Sequence, residues 1–323
     1  MSARPVVWIT RRLSDATLER ARRDYDVILD EADTPSDGEA IVAMSERVDA
    51  IVPCHSEAFD AATVARLHDR LKIVANHSVG TDHCDLSALH TRGIVVTNTP
   101  GVLNDATAEI AMLLLLGAAR RASEGDRLVR SGRWDSWSPA FMVGTQVSGA
   151  RLGILGMGGV GQVVARRARG FDMQVHYHNR RRLPEEREQG AIWHDSVESL
   201  FGVSEFLSLN APAVPDTVEI LNAASIEWLP ERAIVINTAR GALVDESALH
   251  AALASGRLAA AGLDCFVDEP GGNAALAGLD NVFLLPHVGS ATRATRDAMG
   301  SCALDNLDAF FAGRDVPNRV DAG

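Results

Sequence analysis

The chain has 323 residues, 46% of them apolar, and a formal net charge of −12. That length exceeds the usual single-domain size, so two domains with a large shared apolar content are expected. The acidic balance argues against nucleic acid or an anionic membrane surface as partner, since both need a clustered basic face. The longest apolar run, 110–119, falls short of the roughly 20 residues that a bilayer demands. The start of the chain reads as a strand rather than a basic and apolar leader. Cys54, Cys84, Cys265 and Cys302 form no C-x-x-C pair. Reduced thiols, no metal site and a cytoplasmic location are therefore expected.

Strand-like runs at 6–9, 50–53, 72–76 and 94–98 alternate with helical stretches at 14–24, 39–47 and 58–70. Short apolar strands separated by helices predict an α/β fold with a parallel, doubly wound sheet. Thr99-Pro100-Gly101 breaks the pattern with turn chemistry. A strongly apolar helix is predicted over 106–131, crossing between domains. After a loop around 134–149, strands are predicted at 151–156, 174–177, 206–209, 233–237, 260–264 and 282–285. Six strands with intervening helices suit a complete dinucleotide-binding sheet. A last helix is predicted over 292–312.

Gly156-Met157-Gly158-Gly159-Val160-Gly161 follows the first strand of that second sheet and opens a helix. Glycines here permit a tight turn, close approach of backbone to a pyrophosphate, and close packing of helix on sheet. The helix N-terminus supplies N–H donors to the phosphates. The next strand ends in His178-Asn179-Arg180-Arg181-Arg182. An acidic residue about 20 positions beyond the glycines would hold a ribose 2′-hydroxyl, but none occurs from His178 to Pro184. Guanidinium forks suit a 2′-phosphate instead. NADP(H) is thus the expected preference, with NAD(H) also accepted, and Asn179, Arg180 and Arg181 are candidate contacts, Arg180 foremost.

Three later strand ends carry polar groups: Arg240 after Asn237-Thr238-Ala239, Glu269 after Asp264, and His287 before Gly289-Ser290. Ligands gather beyond the carboxyl ends of strands in such sheets. Hydride addition to a 2-keto acid leaves an alkoxide that needs a proton, which suits a histidine. A carboxylate would orient and charge that histidine, and an arginine would clamp the substrate and polarise its carbonyl.

On these residues the sequence resembles the D-isomer-specific 2-hydroxyacid dehydrogenases, within them the bacterial glyoxylate/hydroxypyruvate reductases that also reduce 2-ketogluconate. The resemblance covers about residues 50 to 320. It implies a flavodoxin-like substrate-binding domain (1–102 plus 288–323) and a Rossmann NAD(P)-binding domain (103–287), with the active site in a cleft that closes by hinge motion. It implies Arg240, Glu269 and His287 as the catalytic trio, His287 being the proton donor in reduction. It further implies that Val79 and Gly80, with Ser290, Arg240 and His287, hold substrate. Cofactor contacts would fall on Thr107, Gly158 to Val160, Ala211, Thr238, Asp264 and Gly289. A homodimer is expected, with Trp137 of the partner subunit reaching the substrate pocket. Cys265 stands where the family usually has valine, and Pro53-Cys54-His55-Ser56 is an atypical substrate loop. Two other readings stand beside this one: a relative oxidising D-lactate or phosphite, and a nicotinamide-sensing module that binds without turnover.

Overall fold

Apolar strands too short to stand alone dictate the architecture, because each must be covered on both faces. The computed structural model describes residues 4–321. It divides into two units, one from the described residues up to Leu103 together with those from Ala291 on, the other Asn104–Ser290.

In the first unit, β1 (Val6–Ile9), β2 (Asp26–Leu29), β3 (Ala50–Val52), β4 (Ile73–Ala75) and β5 (Val95–Thr97) pair in parallel in the order β2-β1-β3-β4-β5. This is the flavodoxin-like order. The inner strands β3 and β4 are buried throughout. Helices Asp15–Asp24, Gly38–Ser45, Ala61–Arg66 and Leu86–Thr91 begin on Ser14, Asp37, Asp60 and Asp85. Each of these side chains accepts the backbone N–H three residues on, which satisfies a donor that the helix itself cannot. Helix Arg293–Phe311 returns to this unit and buries Ala303, Leu304 and Leu307 with Val7, Ile9, Val52 and Ile73. Strand β2 and helix Leu86–Thr91 were not expected, and the helix expected over 58–70 is confined to Ala61–Arg66. Strand β2 is an edge strand with no fully buried residue, so its sequence carries little alternation.

In the second unit, seven strands replace the six expected. They are β6 (Arg151–Leu155), β7 (Gln174–His178), β8 (Ile192–Trp193), β9 (Phe206–Leu209), β10 (Ala233–Asn237), β11 (Leu258–Leu263) and β12 (Val282–Leu284). All pairs are parallel, in the order β12-β11-β10-β9-β6-β7-β8. The added β8 is a two-residue edge, too short to leave a periodic signature. Strand order reverses at β6, the switch point where such sheets bind ligands.

The helix expected over 106–131 is two helices, Asn104–Ala119 and Ala122–Arg130. Arg121 takes a left-handed backbone (φ +56°) between them. The N–H of Thr145 donates to the Ala119 carbonyl at 2.8 Å, so the chain after the break returns to cap the first helix. Neither Gly nor Pro marks this break, which is why the sequence reads through it. Helix Asn104–Ala119 lies hard against β11. A Cβ on Gly262 would stand 2.8 Å from Leu114 Cβ and 2.9 Å from the Leu114 carbonyl oxygen. No helix among the described residues is long and apolar enough to cross a membrane. Gly262→Ala should destabilise the protein by about 1–3 kcal/mol through overpacking, read as a lower Tm; an unaltered melt would contradict this packing.

Candidate active site

The glycine turn is shaped by what surrounds it. Gly156 has φ +89°, and a Cβ there would lie 2.7 to 2.8 Å from the backbone of Asn210 and Ala211. A Cβ on Gly161 would meet the Gly156 carbonyl oxygen at 2.5 Å, so helix Gly159–Arg169 can start only with glycine at that place. A Cβ on Gly158, by contrast, would meet nothing within 4 Å. That open face at a helix N-terminus admits a pyrophosphate. Asn179 Oδ1 accepts from the Met157 N–H at 2.7 Å, and the Gly156 N–H donates to the His178 carbonyl at 2.9 Å. The end of β7 therefore braces the turn. Thr238, at the end of β10, has a buried hydroxyl with no partner among the described residues. An orphaned buried hydroxyl is costly unless a ligand meets it, so the residues present fit a nicotinamide dinucleotide.

The ends of β10, β11 and β12 bring the three catalytic candidates, Arg240, Glu269 and His287, into one unit. After β10, Asn237 Nδ2 donates to the Arg240 carbonyl at 2.8 Å, and Arg240 Nη1 donates to the Ala239 carbonyl at 2.8 Å. A Cβ on Gly241 would lie 1.9 Å from the Phe266 carbonyl carbon and 2.3 Å from the Val267 nitrogen. Glycine thus lets the segment bearing Arg240 press onto the segment after β11. There the Phe266 N–H donates to Glu269 Oε1 at 2.7 Å. The other carboxylate oxygen, Oε2, lies 2.5 Å from His287 Nδ1. Nδ1 of His287 thus faces Glu269, which fixes the orientation of the ring.

His287 itself has a left-handed backbone, φ +54°, which a non-glycine residue adopts only when its surroundings impose it. Asp264 imposes it. Its Oδ1 accepts from the Val288 N–H at 2.8 Å and its Oδ2 from the Gly289 N–H at 2.7 Å. Burial pushes the Asp264 carboxyl upward from the usual carboxylate range, while these two amides pull it back. A Cβ on Gly289 would fit tightly, 3.1 Å from Asp264 Oδ2 and 3.3 to 3.5 Å from the Thr107 side chain. Cys265 is buried, and burial pushes its thiol far up, leaving an inert packing group.

The arginine run divides. Arg180 and Arg181 stand exposed at the tip of β7, whereas Arg182 forks onto Glu188 at 2.8 and 3.0 Å. Arg182, which is not among the candidate contacts, thus has a partner of its own in Glu188. Val160 and Ala211 flank the glycine turn in sequence and packing, and Ser290 ends the second unit. In the first unit, the Val79 carbonyl accepts from Asn98 Nδ2 at 2.9 Å and the Gly80 carbonyl from Ser78 Oγ at 2.7 Å. Neither amide of Val79 and Gly80 donates to a partner among the described residues. Trp137 is 74% exposed in an irregular loop. Sequence reasoning overlooked Gly241 and Glu188. Their signals were a glycine directly after Arg240 and an acid six residues beyond Arg182, neither of them periodic.

A dinucleotide cradle beside an imidazole–carboxylate pair defines a nicotinamide-dependent oxidoreductase. The model for the D-isomer specific 2-hydroxyacid dehydrogenase NAD binding domain matches residues 112–289. The chain is 44% identical over 312 residues to the glycerate dehydrogenase of Hyphomicrobium methylovorum, covering 96% of this chain and 97% of that one. It is 40% identical over 323 residues to the glyoxylate reductase of Thermococcus litoralis, covering 98% and 97%. A solved NADPH-dependent glyoxylate/hydroxypyruvate reductase from Sinorhizobium meliloti, in complex with NADP and malonate, is 31% identical with a TM-score of 0.87, covering 98% and 97%. The chain belongs to the D-isomer specific 2-hydroxyacid dehydrogenase family.

Gly241→Ala should lower kcat by about tenfold or more by parting the Arg240 and Glu269 segments, a small misplacement being costly in catalysis. The dinucleotide Kd should hold within about twofold, since the cradle is untouched. Unchanged turnover would mean that this contact does not set the site.

Proposed function

We propose that the protein reduces a small 2-keto acid, glyoxylate or hydroxypyruvate, to the D-2-hydroxy acid, with NADPH preferred over NADH. The observation that carries this reading is the His287–Glu269 pair, aligned through Nδ1 and held on a turn that Asp264 fixes. A bound reduced nicotinamide supplies the hydride. His287 donates a proton from Nε2 to the oxygen that becomes the hydroxyl. Glu269 keeps the proton on Nδ1 and so fixes which nitrogen faces the substrate. Arg240 clamps the substrate and polarises its carbonyl, a role that its planar fork suits better than a lysine would. The amides of Val79 and Gly80 receive the substrate carboxylate, with Ser290 as a further contact, and Thr107, Ala211, Thr238 and Gly289 line the dinucleotide. The names of the glyoxylate reductase and glycerate dehydrogenase relatives favour two- and three-carbon acids.

The NADPH preference rests on Arg180 and Arg181 beside an acid-free β7 tip. The assembly is a homodimer in this reading, and the exposed indole of Trp137 of the partner subunit reaches the pocket.

His287→Ala should cut turnover of glyoxylate and NADPH by about 10²–10⁴-fold while NADPH still quenches or perturbs protein fluorescence at similar concentration. Turnover near wild type would refute the acid–base assignment. Arg180→Ala should raise the KM for NADPH by about tenfold, the loss of one charge-assisted contact, and leave that for NADH nearly constant. No change in either would assign Arg180 to the solvent, and a parallel rise in both would place it away from the 2′-phosphate.

A further inference from the structure

The segment that follows β7 leads to a buried acid that the reaction does not use. Glu188 is only 4% exposed, and a carboxylate is found there only when paired. Its Oε1 accepts from the Tyr177 hydroxyl at 2.6 Å and from Arg182 Nε at 2.8 Å, and its Oε2 from Arg182 Nη2 at 3.0 Å. The Tyr177 oxygen in turn accepts the Leu183 N–H at 3.0 Å. The Arg182 guanidinium also lies over the Trp193 ring, 5.9 Å from its centroid. Both Glu188 oxygens, the Tyr177 hydroxyl and two nitrogens of Arg182 are thus engaged within the protein, and the knot ties both ends of the segment between β7 and the short helix Glu185–Glu188.

We propose that Glu188 is a positioning residue for cofactor choice: by forking Arg182 and bonding Tyr177 it fixes the 179–183 loop, so that Arg180 and Arg181 alone are presented to the 2′-phosphate of NADPH. The inference rests on the proposed NADPH preference. Its physical content is preorganisation. Residues 180 and 181 lie between Asn179, bound to the glycine turn through Met157, and Arg182, bound to Glu188. Two anchored neighbours leave the intervening guanidinium groups few arrangements, and a dianion that meets them loses little further entropy. The fork also gives Arg182 a fixed opposite charge. A third mobile cation beside the site would otherwise gather phosphate or carboxylate groups without geometric discrimination. The arginine fork and the tyrosine hydroxyl hold the Glu188 carboxyl well below the usual carboxylate range, so the knot stays charged and closed near neutrality.

The test compares kcat and KM for NADPH and NADH in the full-length wild type and in Glu188→Gln, Tyr177→Phe and Arg180→Ala, with glyoxylate saturating and Tm recorded for each. Glu188→Gln should raise the KM for NADPH by about tenfold, leave that for NADH unchanged, and keep kcat. Tyr177→Phe, which deletes only the hydroxyl, should shift the same ratio less far, and it decides the matter should Glu188→Gln not fold. Three results would overturn the proposal: an unchanged NADPH/NADH ratio, a parallel rise in both KM values that follows Tm, or tighter NADPH binding, which would make Arg182 a phosphate ligand that Glu188 sequesters. A wild type without NADPH preference, or an Arg180→Ala variant that keeps it, would remove the underlying reading and this inference with it. A normal Arg180→Ala response beside an unaltered Glu188→Gln ratio would remove the inference alone.

Discussion

One carboxylate holds the chemistry together. Asp264 leaves the end of β11 and takes the N–H groups of Val288 and Gly289. In doing so it holds the chain after β12 in a left-handed turn at His287. That turn aims Nδ1 at Glu269, whose second oxygen is pinned by the Phe266 N–H. The pair is thereby set by backbone donors on two sides, without long flexible side chains having to find one another. Strain of this kind persists only where several bonds over-determine it, and functional sites are where it concentrates.

Glycine at 241, 158 and 161 does the complementary work of omission. At 241 it lets two strand-end segments touch, at 161 it lets a helix begin against a turn, and at 158 it leaves a face open. Only the last of these is room for a ligand. The other two are contacts between backbones, so substitution there deforms the site instead of filling it. The same economy of space brings helix Asn104–Ala119 against β11 at Gly262 and so supports Asp264, two residues further along the chain.

The sequence made the parallel α/β alternation legible because buried strands in such sheets are uninterrupted apolar runs, as in Ala-Ile-Val-Ile of β10. It also carried the order of strand, glycines and helix, and the polar residues beyond three strand ends. What it hid has physical reasons. Strands β2 and β8 lie at edges, where half-exposed or two-residue runs leave no pattern. The break at Arg121 is made by a returning loop, through Thr145, and local composition remains helical across it. The Arg182–Glu188 fork closes around an irregular turn, outside any helical or strand spacing. A run of three arginines therefore reads as one feature in sequence, although in the folded chain Arg182 forks onto Glu188 while Arg180 and Arg181 stand exposed.

The claim on which the account turns is that His287 gives a proton in reduction and takes one in oxidation. The direct measurement is the single-turnover rate of NADPH oxidation by glyoxylate in the wild type and in His287→Asn, with NADPH affinity recorded for both. The account predicts that this step slows by about 10²–10⁴-fold in His287→Asn while NADPH affinity holds. A step near the wild-type rate in His287→Asn would contradict it.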